Sequence, residues 1–220
     1  MDTIITIDGP SGGGKSTVSR MLAAKLSYTY LDTGAMYRAV GLQARQQGVD
    51  LADDDQLASM LAELDLHLEP GDGDTRVLLA GDDVSAAIRT AEMGMVASAV
   101  SALPLVRGKL TELQQKIGAK GRVVAEGRDM GTVVFPKARH KFFLDASPQE
   151  RARRRVEQLH EKGEEAVYDD ILAQIIKRDH DDSTRDLAPL KPASDAVQID
   201  SSQMNAQEVL NFILDQLAKK

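Results

Sequence analysis

Five short apolar runs punctuate the chain: TIITID near the start, then YTYLD, RVVAEG, HKFFLD and AVQID. Each is short and rich in β-branched or aromatic residues, and long helix-like segments separate them. Strands alternating with helices predict a parallel α/β sheet. The segment STVSRMLAAKL, after the first run, has the apolar spacing of an amphipathic helix. Two stretches break the rhythm. LDLHLEPGDGDTRVLLAGDDV reads as short strands joined by Gly and Asp turns, which predicts a small β-containing insert within residues 60–100. Residues 147–185 read as two strongly charged helices around EKGEE, less apolar than core helices, and predict a mobile flap. No internal repeat or low-complexity linker interrupts the chain. The expected organisation is a single domain, 1–220, with the insert at 60–100 and a lid at 147–185.

Composition narrows the partners. The chain has 220 residues, 42% hydrophobic and 28% charged, which suits one sizeable core with an embedded lobe. A formal net charge of -7 argues against a surface devoted to nucleic acid or acidic lipid, so any anion site must be local. The absence of cysteine removes disulfides and thiolate metal sites and is compatible with the cytoplasm. The N-terminus lacks the basic start of a secretory signal. The longest uncharged stretch, 93–106, is far shorter than the roughly 20 residues a bilayer requires. A cytoplasmic protein without membrane or nucleic-acid partners is therefore expected, and a monomer is the expected state.

The first strand runs directly into GPSGGGKST. Gly9, four residues, then Gly14-Lys15-Ser16 is the phosphate-loop pattern, here between an apolar strand and an amphipathic helix, the context the motif needs. Such a loop turns backbone N–H groups inward around a phosphate, and the following helix adds its positive dipole end. Gly9, Pro10, Ser11, Gly12, Gly13, Gly14, Lys15, Ser16 and Thr17 are thus candidate contacts to a nucleoside triphosphate. Lys15 is placed to reach the β and γ phosphates and Ser16 to hold Mg²⁺.

A phosphate loop does not choose between kinase, GTPase and ATPase, so the second ligand must be read elsewhere. In LDTGAMYRAV, Asp32 or Thr33 is a good N-cap, which gathers Thr33, Tyr37 and Arg38 on the first turns of a helix. They form either a second phosphate cradle or a solvated surface. GRDMGTVVFP follows the strand RVVAEG, where α/β folds place ligand loops. Its Arg128 and Asp129 either contact a ligand or form an internal ion pair in a structural turn. In ERARRRVEQL, the spacing i, i+3, i+4 puts Arg151, Arg154 and Arg155 on one helix face. A nucleic-acid reading of that stripe lacks interleaved aromatics. In KRDHDDSTR, Arg178, Asp182 and Arg185 recur at i, i+4 and i+7, compatible also with a salt-bridged surface helix.

Together DGPSGGGKST, LDTGAMYR, DVSAAIRT, GRDMGTVVFP, FLDAS and RDHDDSTRDLAPL resemble the bacterial-type cytidylate kinases, within the nucleoside monophosphate kinases, in order and over nearly the whole chain. The resemblance implies a P-loop fold with a five-stranded parallel sheet, a monophosphate-binding lobe and a helical lid. It implies transfer of the ATP γ-phosphoryl group to CMP or dCMP, with Mg²⁺. By position, Thr33, Tyr37, Arg38, Arg128 and Arg185 would face the CMP phosphate, Arg178 and Asp182 its ribose, and Ser98, Arg107 and Asp129 the cytosine. Arg151, Arg154 and Arg155 would close over ATP, and Lys15, Arg128, Arg154 and Arg185 would be catalytic. Glu126 is a water-mediated Mg²⁺ candidate. Thr33 stands where a familiar pattern has Ser, and Glu126 where it has Asp, and both swaps preserve the chemistry.

Phosphoryl transfer between two polyanions needs positioning and charge compensation more than covalent help, and an ionised monophosphate needs no general base. His67, His140, His160 and His180 lack ligand spacing and read as surface or structural residues. Met36, Met93, Met95 and Met130 read as packing residues. A kinase of another small acceptor and a non-enzymatic nucleotide switch remain as alternatives.

Overall fold

The computed structural model describes residues 3–71 and 75–219, so Asp72, Gly73 and Asp74 of the expected Gly/Asp turn lie outside the described residues. All five apolar runs form strands: β1 (Ile4–Asp8), β2 (Thr29–Asp32), β6 (Val123–Gly127), β7 (His140–Asp145) and β8 (Val197–Asp200). They make one parallel sheet in the order β2-β6-β1-β7-β8. Between β2 and β6, among the described residues, lie a second sheet of β3 (Leu66–Pro70), β4 (Thr75–Leu79) and β5 (Asp82–Asp83), four α-helices and a short 3-10 turn at Ala87–Arg89. Two compact units divide the chain, Met1–Tyr28 with Val124–Lys220, and Thr29–Val123, the second running wider than residues 60–100.

In the first unit, β1 pairs in parallel with β7, Asp8 opposite Phe143, and β7 with β8. The strands are buried because helices cover the sheet, so Ile5, Ile7, Val124, Phe142 and Leu144 read as continuous apolar runs rather than alternating ones. Helix α1 (Lys15–Leu26) packs against α8 (Ala206–Ala218), and α8 opens with a reciprocal capping box between Asn205 and Glu208. Residues 147–185 contain α6 (Pro148–Glu161) and α7 (Tyr168–Thr184), which pack against each other. Ser147 caps α6 by accepting from the Glu150 N–H, and Pro148 takes the first helical position, where no donor is lost.

In the second unit, α2 (Thr33–Gln47) is followed by α3 (Asp54–Ala62), the antiparallel sheet, α4 (Ala91–Ser101) and α5 (Pro104–Gly118). On β4, Thr75, Val77 and Leu79 point inward while exposed Arg76 pairs with Glu69 and Asp83. Val77 and Leu79 join Ala35, Ala39, Val84 and Ile88 in a buried cluster that fastens the insert to α2. Helices α2 and α4 approach closely at Gly41, where a Cβ would lie 2.5 Å from Val96 Cγ1. Met36, Met93 and Met130 are buried as expected, but Met95 is 69% exposed. It lies two residues beyond buried Met93, so it faces away from the α4 surface that packs. Among the described residues, no helix is long and apolar enough to cross a membrane.

Candidate functional site

The glycines of GPSGGGKST are where the backbone demands them. Gly9 has φ +148°, and a Cβ there would lie 2.0 Å from the Leu144 carbonyl oxygen of β7. Gly14, at φ +85°, is the N-cap of α1, and no side chain caps that helix. Its first N–H groups are therefore not claimed by a cap and present the positive end of the helix to the loop. Ser16 and Thr17 are exposed in the first turn, and the Ser16 hydroxyl donates to Glu126 Oε1 at 2.7 Å. Glu126 is buried on β6. Lys15 is buried and donates from Nζ to the Pro10 carbonyl at 2.6 Å. Burial pushes its pKa well below the usual lysine range, and the positive fields of Arg128 and Arg178 push the same way against Glu126 and Asp8.

The loop is gripped from outside by other cations of the first unit. The Ser11 carbonyl accepts from Arg151 Nη1 at 3.0 Å, and its hydroxyl accepts from Arg178 Nη1 at 3.4 Å. Gly13 accepts through its carbonyl from the Ser201 hydroxyl at 3.5 Å. Arg151 is buried, donates to the Ala146 carbonyl at 2.8 Å and forms a two-pronged pair with Asp179 of α7. Arg154 donates to Glu150, to the Ser201 carbonyl at 2.6 Å and to the Met204 carbonyl, while Arg155 donates to Gln158 on the surface. The three arginines that share a helix face by spacing thus meet three different environments. Arg151 binds the loop itself, which i, i+3, i+4 spacing cannot reveal.

GRDMG does not contain an internal ion pair. Arg128 Nε donates to Asp182 Oδ2 at 2.9 Å, 54 residues away, while Asp129 sits 2% exposed at φ −146° as the residue before a single π-helical turn, Met130–Val134. Asp182 lies 3.8 Å from Arg185 Nη1, and Arg185 Nε donates to the Ala188 carbonyl at 2.7 Å. Burial alone would raise the Asp182 pKa, but Arg128, Arg178 and Arg185 outweigh it and hold the carboxylate below its ordinary range. Asp8, not singled out by sequence reasoning, accepts from both the Met130 and Gly131 N–H groups at 2.8 Å.

In the second unit, Asp32 is the N-cap of α2: its Oδ1 accepts from the Ala35 N–H at 2.8 Å while Oδ2 meets Arg38 Nη2 at 3.3 Å. Thr33 and Tyr37 are buried on the first turns beside the half-buried Arg38. Arg107 of α5 is buried, lies 5.8 Å over the Tyr37 ring and donates to the Ser101 carbonyl at 3.1 Å. Ser98 is half-buried on α4. His67, His160 and His180 are exposed and His140 half-buried.

A phosphate loop at the end of the central strand of a parallel sheet, ringed by lysine and arginine, defines a P-loop nucleotide-binding fold. The family model described as "Cytidylate kinase" matches residues 5–219. A cytidylate kinase of Carboxydothermus hydrogenoformans is 48% identical over 216 residues, covering 98% of this chain and 97% of that protein. One from Saccharophagus degradans is 50% identical over 216 residues, covering 97% and 96%. A crystal structure of an uncharacterized protein from Eubacterium ventriosum shares the fold at a TM-score of 0.55, with 11% identity and full coverage of both chains. The chain belongs to the cytidylate kinase family and is a nucleoside monophosphate kinase.

Proposed function

We propose that the protein transfers the γ-phosphoryl group of ATP to CMP, and also to dCMP, and that the residues assigned above divide the work. The observation that carries this reading is the gathering of Lys15, Arg128, Arg151 and Arg178 at one phosphate loop in a chain of net charge -7. Cations assembled from three segments of an acidic protein serve a polyanion. In the transfer, a CMP phosphate oxygen forms a bond to the γ-phosphorus as the bond to the β–γ bridging oxygen breaks, leaving ADP. Lys15 exchanges its bond to the Pro10 carbonyl for the β and γ oxygens, where it compensates charge developing in the transition state. Arg128 and Arg185, both already paired with Asp182, face the CMP phosphate, with Arg178 and Asp182 toward the ribose. Thr33, Tyr37 and Arg38 supply further phosphate contacts, with Arg38 oriented by Asp32. Arg154 and Arg155 serve ATP once α6 closes.

The metal requirement fits two side chains. Ser16 and Glu126 offer hard oxygen donors, hydrogen-bonded to one another at 2.7 Å, and Mg²⁺ favours few protein ligands with several waters and phosphate oxygens. Among the described residues, no cluster of three or more His, Asp or Glu residues forms an alternative metal cage. Bound with ATP, the ion would be held by Ser16 directly and by Glu126 through water, and would neutralise charge on the β and γ phosphates.

Base choice rests on polarity. Cytosine presents an amino donor beside an N3 acceptor, and uracil reverses both. Asp129, an acceptor only when ionised, suits the amino group, and Arg107, a donor only, suits N3 and O2. Parallel assays of the parent and Asp129→Asn with CMP and UMP test this. The parent should favour CMP by at least about a hundredfold in kcat/KM, and the variant should narrow that ratio by losing CMP activity. An unchanged ratio would return the GRDMG turn to a structural role.

A further inference from the structure

We propose that Asp8 is a positioning residue for base selection: from the last position of β1 it grips the two N–H groups that follow Asp129 and thereby sets where the Asp129 carboxylate stands. The inference rests on the reading that Asp129 faces the base. Asp8 Oδ1 accepts from the Met130 N–H and Oδ2 from the Gly131 N–H, each at 2.8 Å, across 122 and 123 positions of chain. A residue at a helical N-cap ordinarily turns its own side chain onto the N–H groups of the first turn. Asp129 occupies that position before the Met130–Val134 turn and makes no such bond. The remote Asp8 caps the turn in its stead.

The grip is tight and specific. A Cβ on Gly131 would lie 3.1 Å from Thr6 Oγ1, 3.2 Å from Lys141 Cδ and 3.3 Å from Asp8 Oδ2, so a side chain there would press on the contact and its neighbours would have to shift by a few tenths of an ångström. Here each of the two adjacent N–H donors has its own acceptor oxygen. A carboxylate supplies both, whereas an isosteric amide has one oxygen and a donor that would oppose the second N–H. Asp8 is 4% exposed, and burial pushes its pKa up to about 6; the two N–H groups pull it back, the Asp129 charge pushes it further, and Lys15 pulls it down. The position therefore holds a carboxylate in spite of an unfavourable setting, in the service of the turn. Because Asp8 also immediately precedes Gly9, one residue sets the register between the phosphate loop and the base-facing turn.

The experiment compares Asp8→Asn and Gly131→Ala with the parent, each checked by thermal melting, for kcat and KM with CMP and UMP at saturating ATP and for KM with ATP. Gly131→Ala presses on the same contact without altering the charge, so it carries the test if Asp8→Asn fails to fold. KM for CMP should rise about tenfold and the CMP/UMP ratio fall by a similar factor, since one buried N–H loses its acceptor. KM for ATP should stay within about threefold of the parent, a split that general loosening of the fold would not produce. An unchanged CMP/UMP ratio in the folded variants, or equal losses toward ATP and CMP, overturns the proposal when Asp129→Asn does narrow the ratio. If Asp129→Asn itself leaves the ratio unchanged, the reading of Asp129 has failed and takes the proposal with it, so the two failures are told apart.

Discussion

Arg128 Nε donates to Asp182 Oδ2 at 2.9 Å, which ties the turn after β6 to the C-terminal half of α7. Both side chains are largely shielded, at 19% and 6% exposure, and Asp182 also sits 3.8 Å from Arg185. Removing the carboxylate leaves the two guanidinium groups facing one another with less solvent to screen them. Asp182→Asn should therefore destabilise the protein by about 2 kcal/mol, below the full cost of breaking a wholly buried pair. It should also raise KM for CMP by at least about tenfold. Urea unfolding together with steady-state kinetics checks both; unchanged stability would mean that the arginines find other partners.

Lys15→Ala should lower kcat by about a hundredfold to a thousandfold while CMP binding, measured by calorimetry, stays within a few-fold. Lys15 is a charge-compensating group, held by the Pro10 carbonyl, so its loss acts mainly in the transition state. Near-normal turnover in this variant would remove the phosphate loop from the chemistry.

Residues 147–185 should exchange their amide hydrogens more slowly when a bisubstrate analogue joining ATP and CMP binds. Closure over the nucleotides excludes the water that would otherwise hydrolyse ATP. The base of the segment is already anchored, because Arg151 joins Ser11 to Asp179. The protection should hence concentrate beyond Arg154, whose bonds to the Ser201 and Met204 carbonyls must be exchanged for phosphate. Exchange unchanged across the whole segment would contradict a lid.

The titration of Asp8 has a defined sign. Its folded pKa of about 6 lies above the ordinary 3.8, so the native state holds the proton more tightly than the unfolded chain. That contribution to stability is fully present below pH 3.8 and is lost as pH rises through about 6. The stability of the parent relative to Asp8→Asn should accordingly fall across this interval. In NMR spectra, the Met130 and Gly131 amide signals should shift with a midpoint near 6. A midpoint near the ordinary carboxylate value would mean that Asp8 is not buried against the turn.

Local pattern was enough to find the elements that frame the chemistry. The five strands, the phosphate loop at Gly9 to Ser16 and the cap at Asp32 are all written in adjacent residues, because periodicity and turn chemistry act over a few positions. What pattern could not supply is pairing at a distance. The partner of Arg128 is Asp182 rather than the neighbouring Asp129, and Arg151 reaches 140 positions back to Ser11. Asp8 ends the apolar run TIITID, and only its hydrogen bonds in the folded chain show which turn it holds. The one available signal was chemical: an acidic residue ending an otherwise apolar buried strand needs a partner. Met95 failed in the opposite way, since an apolar residue on a helix carries no mark of which side its neighbours will occupy.

The central claim is that this chain moves a phosphoryl group from ATP to a cytosine monophosphate. The measurement that tests it most directly is a coupled assay of the purified protein with ATP and Mg²⁺, offering CMP, dCMP, UMP, AMP and shikimate in turn, with the products resolved by ³¹P NMR. The account expects equal amounts of ADP and CDP from CMP, ready use of dCMP, and kcat/KM for UMP lower by at least about a hundredfold. Comparable rates with AMP or shikimate, or ADP release without a phosphorylated acceptor, would contradict it.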